Sequence, residues 1–211
     1  TGQSNFRIDS EQRGMIMADD LLDLDYKPHL PPKRDYGIGI IGCGERGRTA
    51  HMEGIYKHLA ATNFEIVAVC DTWKVAREKA NAKVREWFGR DARQCVNHRQ
   101  LLELDGIDAV MIAAQDHWHS LIATAAAAAG KDMYCEKPMG VCVADGQRIR
   151  DAVRQHKRVF QAGTWQRSKG PFRHACELAL NGYVGKIHTV EVSAPGPQYQ
   201  PKYDGPLDPQ P

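Results

Sequence analysis

Residues Tyr36–Ile41 (YGIGII) form an apolar run of strand length, and a longer amphipathic stretch follows over 45–60. Between them stands Gly42-Cys43-Gly44-Glu45-Arg46-Gly47, a G-x-G-x-x-G pattern in a strand-to-helix context. That context limits what the chain can build. Gly42 makes the tight turn, Gly44 lets a pyrophosphate approach the backbone, and Gly47 lets the new helix pack against the strand. The helix start then offers N–H groups and the positive end of its dipole to an anion. A second match, Gly37-Ile38-Gly39-Ile40-Ile41-Gly42, lies inside the strand and cannot form the loop. Glu45 sets a carboxylate near the phosphate position, with Arg46 and Arg48 as offsetting charges.

The same rhythm continues along the chain. Strands are predicted at 36–41, 64–70, 93–96, 107–113, 131–135 and 158–162. Helices are predicted at 45–60, 73–88, 98–104, 118–129, 143–156 and 169–181. The strands are near-continuous apolar runs, which is the pattern of strands covered by helices on both faces. Strand-helix alternation at this spacing predicts an α/β fold with a doubly wound parallel sheet. Residues 186–193 (KIHTVEVS) alternate instead, which predicts an antiparallel strand of a second sheet. Residues 1–34 read as a polar N-terminal extension. Residues 195–211, with six of the chain's eleven prolines, read as an extended loop.

Of the 211 residues, 28 are Lys or Arg and 26 are Asp or Glu, for a net charge of +2. Such a balance, without a basic block, argues against a nucleic-acid partner. The longest small apolar run, Ala125 to Ala129, falls far short of a membrane span. The six cysteines, Cys43, Cys70, Cys95, Cys135, Cys142 and Cys176, show no CxxC spacing and read as free thiols. With no leader-like segment at the start, they point to the cytoplasm.

Three further features carry chemistry. Asp71 ends the second strand 24 residues after Gly47, where a carboxylate accepts from ribose hydroxyls and repels a 2′-phosphate. This favours NAD over NADP, although Lys74 and Arg77 stand nearby; Asp71 can also cap the helix that follows. The fifth strand ends in Glu136-Lys137-Pro138, placing a lysine donor at a strand tip, beside a proline that rigidifies the turn and can be cis. Gln115-Asp116-His117-Trp118-His119 follows the fourth strand. Its H-x-H spacing lacks a third ligand, so no metal is expected; Asp116 reads as an N-cap and His119 as a cleft residue.

In this order, GIGIIGCGERG, VAVCD, DHWHSLIA, AGKDMYCEKPMG and VFQAGTWQRS together resemble the glucose-fructose oxidoreductase/inositol dehydrogenase (Gfo/Idh/MocA) family over residues 36 to about 194. The resemblance implies an NAD(P)-binding Rossmann fold at 35–163 and the truncated start of a second α/β domain, for substrate and oligomerisation, at 164–211. It implies that Gly42, Gly44 and Gly47 hold the pyrophosphate, with Glu45 and Arg46 beside it, and that Asp71 holds the ribose. It also implies that Glu136 and Lys137 face the nicotinamide, with Lys137 as the catalytic residue that polarises a hydroxyl or carbonyl, that Arg167 lies near the nicotinamide end, that His119 lies near the cleft and that Gln115 belongs to the cofactor-binding loop. Members often carry Thr-Pro where this chain has Ala114-Gln115, so the loop beside the cofactor is expected to sit differently. The family's D-x-x-x-H segment has no counterpart here.

The activity implied is hydride transfer between NAD, or less readily NADP, and a sugar or cyclitol, in a protein that is a homo-oligomer at full length. The 211 residues alone are then expected to be inactive. Two alternatives remain open: an NAD-dependent glycosidase of the same family, which GTWQRS and the proline-rich tail resemble, and a non-catalytic dinucleotide-binding fragment.

Overall fold

A computed structural model describes residues 35–192. The expected extension at 1–34 and the proline-rich loop at 195–211 lie outside the described residues. The described chain divides into two compact units, 35–164 and 165–192.

The first unit is built on six parallel strands: β1 (Tyr36–Ile41), β2 (Phe64–Cys70), β3 (Arg93–Cys95), β4 (Ala109–Ile112), β5 (Asp132–Glu136) and β6 (Phe160–Gly163). Their order in the sheet is β3-β2-β1-β4-β5-β6, and every neighbouring pair is parallel. The chain therefore winds outward in both directions from β1, and a crevice opens above the β1/β4 boundary at the strands' C-terminal ends. A register shift at Ile38/Gly39 leaves Val67 as the extra residue of β2.

Successive side chains of each strand point to opposite faces, and each face is buried under helices. On one face Ile38, Ile40, Ile66 and Val69 pack with Met52 and Ile55 and with Ala76, Ala80 and Val84 of α3 (Lys74–Phe88). On the other, Ile41, Ala68, Val110 and Ile112 pack under α4 (His98–Leu102), α5 (His119–Ala128) and α6 (Val143–Gln155). The alanines of α5, with Ala123, Ala126 and Ala127 buried, bring that helix close to the sheet. The glycines inside β1 answer to the same packing: a Cβ at Gly39 would stand 2.6 Å from Leu101 Cδ2.

Where helices are concerned, the first prediction needs correction. The 45–60 stretch is not one helix. It is helical from Glu45, takes a π-helical stretch at Gly47–Met52 and continues as α1 (Glu53–Lys57), then breaks at the non-helical His58 before α2 (Leu59–Thr62). β4 is shorter than the predicted 107–113 run, although Asp108 just before it still meets β1, its N–H donating to Gly37 O at 2.8 Å and its Oδ2 accepting from Gly37 N–H at 2.9 Å.

The second unit holds a 3₁₀ turn at Trp165–Ser168 and α7 (Gly170–Leu180), with Pro171 in its first turn. The strand predicted at 186–193 is not formed over 186–192. Alternation alone does not make a strand, because its backbone groups need a partner strand, and none stands beside it among the described residues.

Candidate functional site

A cleft of about 420 Å³ lies at the C-terminal ends of β1, β2 and β4, bounded by the segments after them and by Val96–His98. Gly42 and Gly44 form its floor. Gly42 sits at φ +93°, and a Cβ there would stand 2.4 Å from Ala113 O. A Cβ on Gly47 would stand 2.0 Å from Gly42 O, so only glycine lets the π-helical turn begin against the loop. Gly44 differs: a Cβ there would meet nothing within 4 Å. The backbone at Gly44 thus faces open space at a helix start, the opening a phosphate group requires.

Asp71 stands beside this loop and holds it. Its Oδ2 accepts from Cys43 N–H at 2.7 Å, and its Oδ1 accepts from Trp73 N–H at 2.8 Å. The bond to Trp73 closes the turn before α3, whose N-cap is Trp73 with no side-chain cap bond, so the capping reading of Asp71 is not met, while its carboxylate lines the cleft. Buried Arg77 donates to Asp71 O at 2.6 Å and fixes the same corner. Arg48 donates to Cys43 O at 2.5 Å, so its guanidinium braces the loop from beneath. Burial pushes the thiol of Cys70, which lines the floor, up to about 12. Cys43, Cys95 and Cys135 are shifted upward for the same reason. These four thiols are uncharged packing groups, while Cys142 and Cys176 are exposed and free.

The opposite wall is Ala113-Ala114-Gln115 and the 3₁₀ turn Asp116–Trp118. Gln115 is exposed at its start. Asp116 makes no capping bond, so its predicted N-cap role is not observed; Gln115 holds that position without a side-chain cap bond. His117 is exposed, whereas His119 is 1% exposed. The His119 ring nitrogens lie 2.6 Å from Pro138 O and 2.9 Å from Ala114 O. His119 thereby ties the wall after β4 to the turn after β5, beneath the cleft surface. Among the described residues no His/Cys/Asp/Glu group has metal-binding geometry.

Beyond that wall, the end of β5 is tied to the glycine loop. Arg46 reaches Glu136 Oε1 with Nε and Nη2, both at 2.6 Å. Glu136 is 5% exposed, and its Oε2 accepts from Lys137 N–H at 3.2 Å. His51 Nε2 lies 3.1 Å from the same Oε1, outside hydrogen-bond geometry, and its ring meets Tyr134 edge-on at 5.1 Å. Burial holds the His51 imidazole below its ordinary range, against the pull of Glu136. Burial likewise raises the Tyr134 phenol, helped by the Glu136 charge. Lys137 follows on a cis peptide to Pro138, exposed, its ammonium without a partner among the described residues.

The structure therefore gathers Gly42, Gly44, Asp71 and Gln115 on one cleft, and Arg46, Glu136 and Lys137 at the end of β5 next to the glycine loop. Glu45 is exposed on that loop, and its carbonyl accepts from Thr49 Oγ1. Arg167 lies in the 3₁₀ turn of the second unit, exposed. Sequence reasoning missed His51, Tyr134, Trp73, Asn97 and His98. His51 sits four residues after Gly47, one turn into the helix and on its inward face, a spacing that could have flagged it.

A doubly wound parallel sheet with a glycine turn at its switch point and a carboxylate ending the second strand defines an NAD-binding Rossmann domain. The model of the Gfo/Idh/MocA oxidoreductase family, NAD-binding Rossmann fold, matches residues 36–164, and the chain belongs to that family. It is 30% identical over 171 residues to the inositol 2-dehydrogenase of Agrobacterium fabrum, covering 81% of this chain and 48% of the relative. To the myo-inositol 2-dehydrogenase of Thermotoga maritima it is 28% identical over 164 residues, 78% of this chain and 46% of the relative. The crystal structure of myo-inositol 2-dehydrogenase from Lactobacillus plantarum superposes with a TM-score of 0.61 at 25% identity, over 73% of this chain and 43% of that one. The chain spans about half the length of the curated relatives it matches. No helix among the described residues is long and apolar enough to cross a membrane.

Proposed function

We propose that this chain supplies the cofactor half of an NAD-dependent dehydrogenase that oxidises a ring hydroxyl of a cyclitol or sugar. The observation that carries the reading is the open face of Gly44 beside Asp71 on one cleft at the sheet's switch point. The names of the relatives, inositol 2-dehydrogenases, support the substrate class. NAD, once bound, supplies a nicotinamide ring that exchanges hydride.

The chain's own residues then bind and orient. Gly42, Gly44 and Gly47 shape the backbone that receives the pyrophosphate, and Arg46 adds positive charge beside it, on the same loop as Glu45. Each Asp71 oxygen uses one lone pair on a backbone N–H and keeps another for the ribose hydroxyls, and its charge opposes a 2′-phosphate. Gln115 lines the cleft on the far wall, and His119 braces it from below. Glu136 fixes the turn that presents Lys137, whose ammonium donates to the substrate oxygen and stabilises negative charge on it. Arg167 adds charge at the nicotinamide end, and residues 164–211 open a second, substrate-holding domain through which copies of the full protein associate.

The test is NADH formation from myo-inositol and related polyols. In any form of the protein that turns over, Lys137→Ala lowers kcat at least about a hundredfold. Unchanged kcat would remove Lys137 from the chemistry. Release of an aglycone from glycosides without NADH build-up would replace the dehydrogenase with a glycosidase.

A further inference from the structure

Two side chains converge on Glu136 Oε1, and they meet it on different terms. Arg46 is bonded to it through Nε and Nη2 and is 42% exposed. His51 is 6% exposed, and its Nε2 stands 3.1 Å from the same oxygen yet makes no hydrogen bond. His51 lies on the π-helical stretch Gly47–Met52, whose buried residues are Gly47, His51 and Met52. A buried nitrogen without a bond, held that close to a carboxylate, lacks only a proton in the right place. A neutral ring protonated on Nδ1 sets lone pair against lone pair there, whereas an imidazolium donates to Oε1.

The other neighbours add no charge to the pair. Glu136 Oε2 accepts only the backbone N–H of Lys137, whose side chain is exposed. Tyr134, on β5, meets the His51 ring edge-on, and burial keeps its phenol protonated. β6 brings no side chain, since a Cβ at Gly163 would stand 2.8 Å from Glu136 Cα and 3.2 Å from its Cδ. Arg48, on the π-helical stretch, donates to Cys43 O instead. Among the described residues Arg46 is thus the one permanent cation paired with Glu136. Arg46 also stands on the glycine loop, two residues after Gly44, whose backbone faces open space. A pyrophosphate on that loop brings two negative charges to the guanidinium that Glu136 already uses. The buried carboxylate is the partner that cannot turn to solvent for compensation. Burial and Arg46 hold the His51 imidazole below its ordinary range, while Glu136 pulls it up. Diverting the Arg46 charge removes the push and leaves the pull, so the ring gains proton affinity.

We propose that His51 is a positioning residue: it takes up a proton when the pyrophosphate of a dinucleotide draws on Arg46, donates Nε2–H to Glu136 Oε1, and so keeps the Lys137 turn in place. The proposal rests on the dinucleotide reading of the glycine loop. The proton comes from solvent. Binding therefore consumes a fraction of a proton and strengthens as pH falls through neutrality.

The experiment is calorimetric titration of the 211-residue chain with NADH at about pH 7, in PIPES and in imidazole, two buffers of different ionisation enthalpy. The difference in heat counts the protons taken up. NADH is the probe because it carries the pyrophosphate of NAD with an uncharged nicotinamide ring. The wild-type chain takes up about half a proton per NADH, and its affinity rises about threefold from about pH 8 to about pH 6.5. His51→Gln, whose amide can still donate to Oε1, loses both effects. Equal heats in the two buffers for the wild-type chain overturn the proposal, and so does proton uptake that persists undiminished in His51→Gln. If His51→Gln fails to fold, the Cε1–H resonance of His51 in the wild-type chain decides. NADH moves it toward the imidazolium position, and an unmoved resonance overturns the assignment. A folded wild-type chain that binds no NADH instead overturns the dinucleotide reading itself.

Discussion

Arg46 and Glu136 stand 90 residues apart in the chain, yet the Arg46 guanidinium grips Glu136 Oε1 through both Nε and Nη2 at 2.6 Å. One residue belongs to the glycine loop and the other ends β5, immediately before Lys137. The pair crosses the switch point and joins the proposed phosphate-binding turn to the proposed catalytic turn. Glu136 is buried, whereas Arg46 is 42% exposed, so the carboxylate depends on the pair more than the guanidinium does.

Arg46→Met therefore leaves a buried carboxylate facing a neutral His51 and the Lys137 N–H, with no opposite charge. Removing one partner of a fully buried pair costs about 3–5 kcal/mol, and the exposure of Arg46 brings the expected loss to about 1–2 kcal/mol. Adding Glu136→Gln to Arg46→Met recovers part of that loss, as urea unfolding of the single and double variants will show. Equal stability of wild type and Arg46→Met would mean that the pair contributes nothing.

Stability should also fall on mild acidification. Burial depresses the imidazoles of His51 and His98 below their ordinary 6.5 in the folded chain. Unfolding returns both toward that value, so the unfolded chain binds more protons in the window just below it. Their contribution is complete above 6.5 and is lost as pH falls toward the folded values. Urea midpoints are expected to drop between about pH 7.5 and about pH 5.5, before the carboxylates titrate, and to drop less in His51→Gln. An identical slope in that variant would contradict the assignment.

The two ends of the glycine loop separate folding from binding. Gly47→Ala drives a Cβ to 2.0 Å from Gly42 O and costs about 1–3 kcal/mol or prevents folding. Gly44→Ala meets open space and changes stability by less than about 0.5 kcal/mol. The same methyl intrudes on the proposed pyrophosphate position, so NAD affinity falls while the melting temperature stays. Loss of stability in Gly44→Ala would show that this opening is not free.

Asp71→Asn keeps one acceptor oxygen for Cys43 or Trp73 but removes the charge. Wild type is expected to bind NAD at least about tenfold more tightly than NADP, and Asp71→Asn to narrow that ratio. Paired titrations with the two dinucleotides measure it, and an unchanged ratio would take Asp71 out of cofactor selection.

Much of this architecture is local and so was legible. β1 and β2 are long apolar runs closed by Gly42 and Asp71, and their limits match the sequence reading residue for residue. The edges were harder. β3 is only Arg93–Cys95, and β4 begins at Ala109, two residues later than predicted, although Asp108 still bonds Gly37. The break of 45–60 at His58 and the π-helical stretch at Gly47–Met52 are backbone features that no periodicity records. At 186–192 the alternation was real but has no partner strand among the described residues. In the site, Gly44 and Asp71 were legible because a motif spacing marks them. The Arg46–Glu136 pair and the unpartnered His98 were not, since both depend on which distant segments the sheet order brings together.

The central claim is that the cleft holding Gly44 and Asp71 takes a dinucleotide, and calorimetric titration of NAD into the folded 211-residue chain, beside Gly44→Ala, tests it most directly. Saturable binding to the wild-type chain, weakened in a Gly44→Ala variant of the same melting temperature, is the predicted result. A folded wild-type chain that gives no binding heat at millimolar NAD would contradict it.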